Sequence, residues 1–396
     1  MTSSNQFENV HPTAPKSLFL ATTAFAIAFA NWGLIAGLAP LLKKELGLSV
    51  GQASLAIAIP VLLGAVGRIP AGILTDRFGA RWVFSLLLGF GIVPTVALAI
   101  DRSYNSLLFW GFFLGILGSS FAIGVAFVSR WYPPKRQGMA TGIYGAGNIG
   151  QSIAVFGGPV LASWIGIPAT FLLFGIASLV WGIVFALTAQ NPPVKVRPKT
   201  FRECLSVLQT EKLTWALSLF YALTFGGFVA LSIYLPTLLK EVFALPPADA
   251  GARTAFFVIL ATLCRPVGGW LSDRIGGQTL LLYVFLGMFA IGWLMAFPSI
   301  IPFTIGALGF AILCGLGNGG VFKLVPQYFP QQVGTVTGLV GAAGGLGGFF
   351  PPLELGMFQE LTHSYAPGFI LLSLFALLCA WVLGRTFLRL PTPVHH

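Results

Sequence analysis

Residues 64–81 read GAVGRIPAGILTDRFGAR, which places Arg68 inside an apolar run long enough to cross a bilayer, eight positions before Asp76-Arg77. The phrase returns at residues 264–278 as CRPVGGWLSDRIGGQ. Arg265 answers Arg68, Gly269 answers Gly72, Asp273-Arg274 answer Asp76-Arg77, and Gly276 answers Gly79, each 197 positions on in a chain of 396. A charged phrase repeated half a chain later, in apolar surroundings, reads as a duplicated membrane protein. The Asp-Arg pair marks a helix end at the headgroups. Eight residues at about 1.5 Å each place the arginine roughly 12 Å inside that end, near the middle of a hydrocarbon layer about 30 Å thick. A charge at that depth costs at least about 2.5–3.5 kcal/mol, and such residues face protein or a watery interior rather than lipid. A purely structural arginine would want a carboxylate, and no acidic residue lies within a turn or two of either one on its own helix.

Composition supports this reading. Apolar residues make up 56% and charged residues 8%, with a mean hydropathy of +0.87, where a soluble domain carries about 25% charged residues. The net charge of +11 comes mostly from loops on one side of the spans and gives no reason to invoke nucleic acid. The four cysteines (204, 264, 314 and 379) have no metal-ligand spacing and are expected to stay unpaired. No histidine falls in a predicted span, so no metal, cofactor or catalytic constellation is expected, and the chain does not read as an enzyme.

Twelve apolar segments follow a polar start: about 17–42, 52–75, 82–100, 105–129, 138–162, 168–189, 213–239, 249–272, 278–297, 301–323, 334–358 and 366–387. The expected fold is an all-α membrane protein of twelve transmembrane helices in two pseudo-symmetric six-helix halves. The halves are 1–189 and 213–396, joined by a polar linker at 190–212 with room for a short amphipathic helix. Fourteen Lys and Arg residues fall on one side of these segments and five on the other, which places both termini in the cytoplasm. No cleavable leader is apparent at the start. His395-His396 have the look of a tag remnant.

A second phrase is rich in glycine. One copy carries Gly138, Gly142, Gly145, Gly147, Asn148 and Gly150; the other carries Gly334, Gly338, Gly341, Gly344, Gly345 and Gly347-Gly348. Glycines at i, i+4 and i+7 leave one helix face almost without side chains. Tight helix packing accounts for part of this, but a bare backbone can also border a small substrate, and Asn148 adds two N–H donors there. Phe121 sits in GSSFAIG; Tyr221 and Phe225, four apart, share a helical face just before Gly226-Gly227. With 36 phenylalanines in the chain, any one of them serves the core or the lipid face as readily as a pore. Apart from Asp249 at the first residue of a predicted span, Glu354 is the one carboxylate inside the spans, and its place near a helix end suits an interfacial residue.

At this point the chain resembles a known family. The Gly72–Arg81 phrase, its echo and the 6+6 duplication look like the major facilitator superfamily. The paired glycine signatures, the paired arginines and GLGNGGVFKLVP at 315–326 look like its nitrate/nitrite porter branch. The resemblance implies a small-anion site between the halves. Arg68 and Arg265 would hold the anion, Phe121 and Phe225 would flank it, Tyr221 and Asn148 would assist, and Gly145, Gly341 and Gly344 would border it. Gly72, Asp76, Arg77, Gly269, Asp273 and Arg274 would form the conformational switch. It further implies a monomeric carrier in the inner membrane, with nitrate and nitrite as its partners beside the lipid bilayer.

The chemistry agrees. Nitrate is a planar acceptor of hydrogen bonds, and guanidinium is a planar donor that lysine does not match. Aromatic faces repel anions, so the phenylalanines would act as walls. A channel would not need matched phrases in both halves, and a multidrug carrier would call for a wide apolar cavity with a buried carboxylate. The spans offer no histidine and no central carboxylate, and a tyrosine, with a reference pKa of about 10, is a poor proton carrier. That points to exchange of nitrate for nitrite, with nitrate–proton symport as the alternative.

Overall fold

The computed structural model describes residues 10–192, 211–348 and 364–387, with residues 202, 203, 206, 355, 358, 361 and 362 between them. Glu354, Cys204, His363, His395, His396 and most of the 190–212 linker lie outside the described residues. The described chain contains no strand. The first four helices are α1 (Ala14–Leu46), α2 (Leu55–Phe78), α3 (Ala80–Ile100) and α4 (Tyr104–Ser129). The next helical stretch, Pro134–Thr188, holds 55 residues, which at about 1.5 Å per residue is far longer than one bilayer crossing. It breaks at Gly166 (φ 82°, ψ 160°) into α5 (134–165) and α6 (167–188). The second set is α7 (Lys212–Pro236), α8 (Asp249–Ile275), α9 (Gly277–Met295), α10 (Ile300–Tyr328), α11 (Val333–Gly347) and α12 (Ala366–Thr386). Eleven of the twelve expected spans are therefore present among the described residues, and the remaining one is represented by the shorter apolar helix α11. The last third of the segment expected at 334–358 falls largely on residues that are not described.

The repeated phrase explains how neighbouring helices join without loops. Gly79 ends α2 with φ 85° and Gly276 ends α8 with φ 88°. Each donates its N–H back into the helix it closes, to Thr75 and Ser272 respectively, both at 3.0 Å. A side chain is strained at such angles, so the motif keeps glycine at both places. Large apolar side chains such as Ile100, Trp164 and Leu187 are strongly exposed on the outer faces, as expected where lipid is the solvent. The interior is polar in places. Asn31 on α1, fully buried, donates its amide to Ile27 O at 3.0 Å and to Phe174 O of α6 at 3.1 Å.

Regular winding is interrupted at the level where the duplicated arginines sit. A tight turn at Gly115–Ser119 precedes Phe121 in α4, another at Ala146–Asn148 holds Asn148 in α5, and a widened π turn at Ala222–Gly226 follows Tyr221 in α7. Such insertions redirect side chains locally and gather at functional sites.

Candidate anion site and its clasp

Arg68 and Arg265 are both buried, with 2% and 3% of their surface exposed, and among the described residues neither is in an ion pair. Their guanidinium carbons lie 5.5 and 5.6 Å from the centre of one ring, Phe225. Arg265 also sits 5.6 Å over Phe121. The two arginines are satisfied differently. Arg68 donates through Nε to Gly118 O of α4 at 3.1 Å and through Nη1 to Gly341 O of α11. Arg265 donates through Nη2 to the Tyr221 hydroxyl at 3.1 Å, and its buried Nη1 has no partner. A buried donor left without a partner costs about 1–3 kcal/mol or more when charged. An anion there would satisfy that donor and offset two like charges together.

Phe121, Tyr221 and Phe225 form a set of nearly parallel rings. Tyr221 is the shared neighbour, at 6.1 Å and 6° from Phe121 and at 4.9 Å and 3° from Phe225. The rings therefore do more than wall the site: they face the guanidinium groups, an arrangement that stabilises a desolvated cation. Sequence reasoning missed three aromatic residues of this cluster. Phe322 of α10 meets Phe121 and Tyr221 edge-on at 4.6 and 4.7 Å. Tyr144 of α5 stacks 4.9 Å from Phe25 of α1 and donates its hydroxyl to Ser120 O at 2.8 Å, fixing the residue before Phe121. Tyr144 and Phe322 lay inside phrases already singled out, which was the signal for both; Phe25 lay in none. Asn148 is buried with its Nδ2 unpartnered, in the tight turn that follows Gly145.

The glycine faces lie against the arginines. A Cβ on Gly145 would come 3.0 Å from Arg265 Nε, and one on Gly341 would come 3.0 Å from Arg68 Cδ. Gly344 faces the rings of Tyr221 and Phe225. Leucine at Gly145 or Gly341 is therefore expected to displace the guanidinium and lower anion uptake by liposomes at least about tenfold, since overpacking a close contact costs about 1–3 kcal/mol. Uptake at the unsubstituted rate with either leucine in place would remove these glycines from the site.

Below the arginines the halves meet backbone to backbone. A Cβ on Gly334 of α11 would lie 2.5 Å from Gly72 O of α2, and one on Gly142 of α5 would lie 2.6 Å from Arg265 O of α8. Gly138 and Gly269 oppose each other in the same way. Each motif carboxylate then caps a helix of the opposite half. Asp76 accepts from the N–H groups of Gly334 (3.1 Å) and Thr335 (2.7 Å) at the start of α11. Asp273 accepts from those of Gly138 (2.9 Å) and Met139 (2.8 Å) at the start of the helical part of α5. First-turn N–H groups lack partners within a helix, and its positive end favours a carboxylate. Asp76 also pairs with Arg130 at 2.6 Å, and Asp273 with Lys323 at 2.6 Å; Lys323 donates further to Pro134 O. Arg77 and Arg274 stand apart from these carboxylates, over Phe78 at 5.2 Å and Trp270 at 4.2 Å.

Helices in two matched sets, closed at one end and holding uncompensated cations at mid-depth, make this a membrane carrier. Residues 20–352 match the Major Facilitator Superfamily. The chain is 43% identical over 361 residues to the "Nitrite extrusion protein" of Bacillus subtilis (strain 168), covering 91% of each chain. It is 36% identical over 419 residues to the "Probable nitrate/nitrite antiporter NarK1" of Thermus thermophilus, covering 97% of this chain and 94% of that one. In fold it is similar to the human organic anion transporter MFSD10, with a TM-score of 0.77 at 18% identity over 94% of this chain and 100% of that one. The E. coli fucose:proton symporter FucP gives 0.74 at 16% identity over 93% and 98%. The chain belongs to the Major Facilitator Superfamily and, within it, to the nitrate/nitrite porter family.

Proposed function

We propose that this protein carries nitrate and nitrite across the inner membrane by alternating access, with Arg68, Arg265, Phe121, Phe225, Tyr221 and Asn148 forming the anion site. The observation that carries the reading is the pair of buried arginines flanking Phe225 without a carboxylate, one of them with a free donor. Two like charges buried at mid-depth favour an anion between them, and a guanidinium edge fits a planar oxyanion such as nitrate. The names of the Bacillus and Thermus relatives agree with that substrate class. We assign the closed end, with Asp76 and Asp273, to the cytoplasm on the loop-charge rule. On that assignment both termini are cytoplasmic, the halves 1–189 and 213–396 rock about the site, Gly72, Asp76, Arg77, Gly269, Asp273 and Arg274 act at the switch, and the carrier works as a monomer.

Exchange of nitrate for nitrite is the favoured cycle, because the described spans place no carboxylate or histidine beside the arginines. One-for-one exchange of monovalent anions moves no net charge. In liposomes loaded with nitrite, nitrate should enter, and an imposed membrane potential should leave the final nitrate ratio unchanged. Uphill nitrate accumulation driven by an inward proton gradient, with no nitrite inside, would replace exchange with proton symport.

A further inference from the structure

Asn318 of α10 is 3% exposed, and its Oδ1 is buried with no hydrogen-bond partner. Its direction follows from its neighbours. A Cβ on Gly317 would meet Thr224 of α7 at 2.6 Å, and one on Gly319 would meet Arg265 O of α8 at 2.7 Å. Successive helical residues are turned by about 100°, so Asn318 points between α7 and α8. Gly320 closes the opposite side of the helix against Leu281 of α9. Phe322, one turn along, shares the face of Asn318 and touches Phe121 and Tyr221. Helices α7 and α10 are antiparallel here. One turn back from Phe322 therefore matches one turn on from Tyr221, which is the level of Phe225 and both guanidinium groups.

We propose that Asn318 is a further anion-binding residue, which donates its amide to the oxygen of nitrate that Arg265 does not reach and so favours nitrate over nitrite. A guanidinium edge serves two oxygens of a planar anion. The third oxygen of nitrate points away from that edge and needs a donor from another helix; nitrite has no third oxygen. An amide suits the position because it can present either end. Asn318 Oδ1 and Arg265 Nη1 are both left without a partner in this structure, and after a half-turn of the amide its N–H groups suit the anion. A carboxylate there would neutralise Arg265 and compete with the substrate.

The inference rests on the anion site proposed above, and the test separates the two. Wild-type protein and variants are reconstituted, and half-saturating nitrate and nitrite are measured by counterflow. Asn318→Ala should raise half-saturating nitrate about tenfold, the effect of one lost hydrogen bond to a charged group, and leave half-saturating nitrite within about twofold of wild type, because nitrite has no third oxygen to lose. Asn318→Asp, nearly identical in shape, should weaken both anions by about a hundredfold or more through pairing with Arg265, and it decides the matter if the alanine variant does not assemble. Asn31→Ala, at the buried asparagine that bonds Ile27 and Phe174, provides the structural comparison: it should lower melting temperature and leave both half-saturations unchanged. Equal losses for nitrate and nitrite in Asn318→Ala, or wild-type affinities in Asn318→Asp, would overturn the assignment. Wild-type protein that exchanges neither anion would instead overturn the nitrate reading itself.

Discussion

Arg265→Lys is expected to cut nitrate exchange by about a hundredfold or more with little change in melting temperature, because lysine keeps the charge and loses the planar fork. Arg265 has one donor on the Tyr221 hydroxyl and one free, so an ammonium group cannot hold the tyrosine and present a flat edge at once. Arg68→Lys should abolish exchange to a similar degree but should also destabilise the protein. Arg68 ties α2 to Gly118 of α4 and to Gly341 across the halves, and a shorter cation cannot serve both carbonyls. Exchange assays and thermal melts on the same preparations check both statements. Near-normal exchange by either variant removes that arginine from the site, and equal melting losses in both would show that their environments are not as different as described.

Valine at Gly72 or Gly269 should reduce exchange below about 1% of wild type by preventing closure of the clasped end, because small residues are what allow backbones this close. A side chain at Gly72 would run into the Gly334 carbonyl, and one at Gly269 into that of Gly138. The defect is conformational, so nitrate should still bind. Spin labels at Phe78 and Ile275, exposed residues of opposite halves near this end, should report a longer distance in the valine variants than in the parent. An unchanged distance with normal exchange would mean that these glycines do not govern closure.

Much of this was legible in the chain because the duplication printed it twice. The 197-residue offset located both arginines, both carboxylates and both turn glycines, and the positive φ of Gly79 and Gly276 explains why the last pair is retained. The length of the apolar segments sufficed to locate the spans. What was not legible depends on contacts between distant parts. Nothing in the sequence ties Asp76 to Arg130 or Asp273 to Lys323, because the two cations are not in matching positions of the repeat. Phe25, which stands in no repeated or singled-out phrase, was hidden among 36 phenylalanines, where residue type carries little information. The unequal partners of Arg68 and Arg265 could not be foreseen from a motif that treats them alike.

The placement of Arg130 and Lys323 has a consequence for how freely the carrier can cycle. Each belongs to the same half as the carboxylate it neutralises. When the halves part, Asp76 and Asp273 keep these partners and give up the helix amides, which water can replace at an exposed helix end. Opening thus strips no buried charge of its counter-ion, a step that elsewhere costs about 3–5 kcal/mol. If Asp76 and Asp273 act at the switch as proposed, the clasp behaves as a latch rather than a bolt: it seals one end and releases without leaving a carboxylate unpaired.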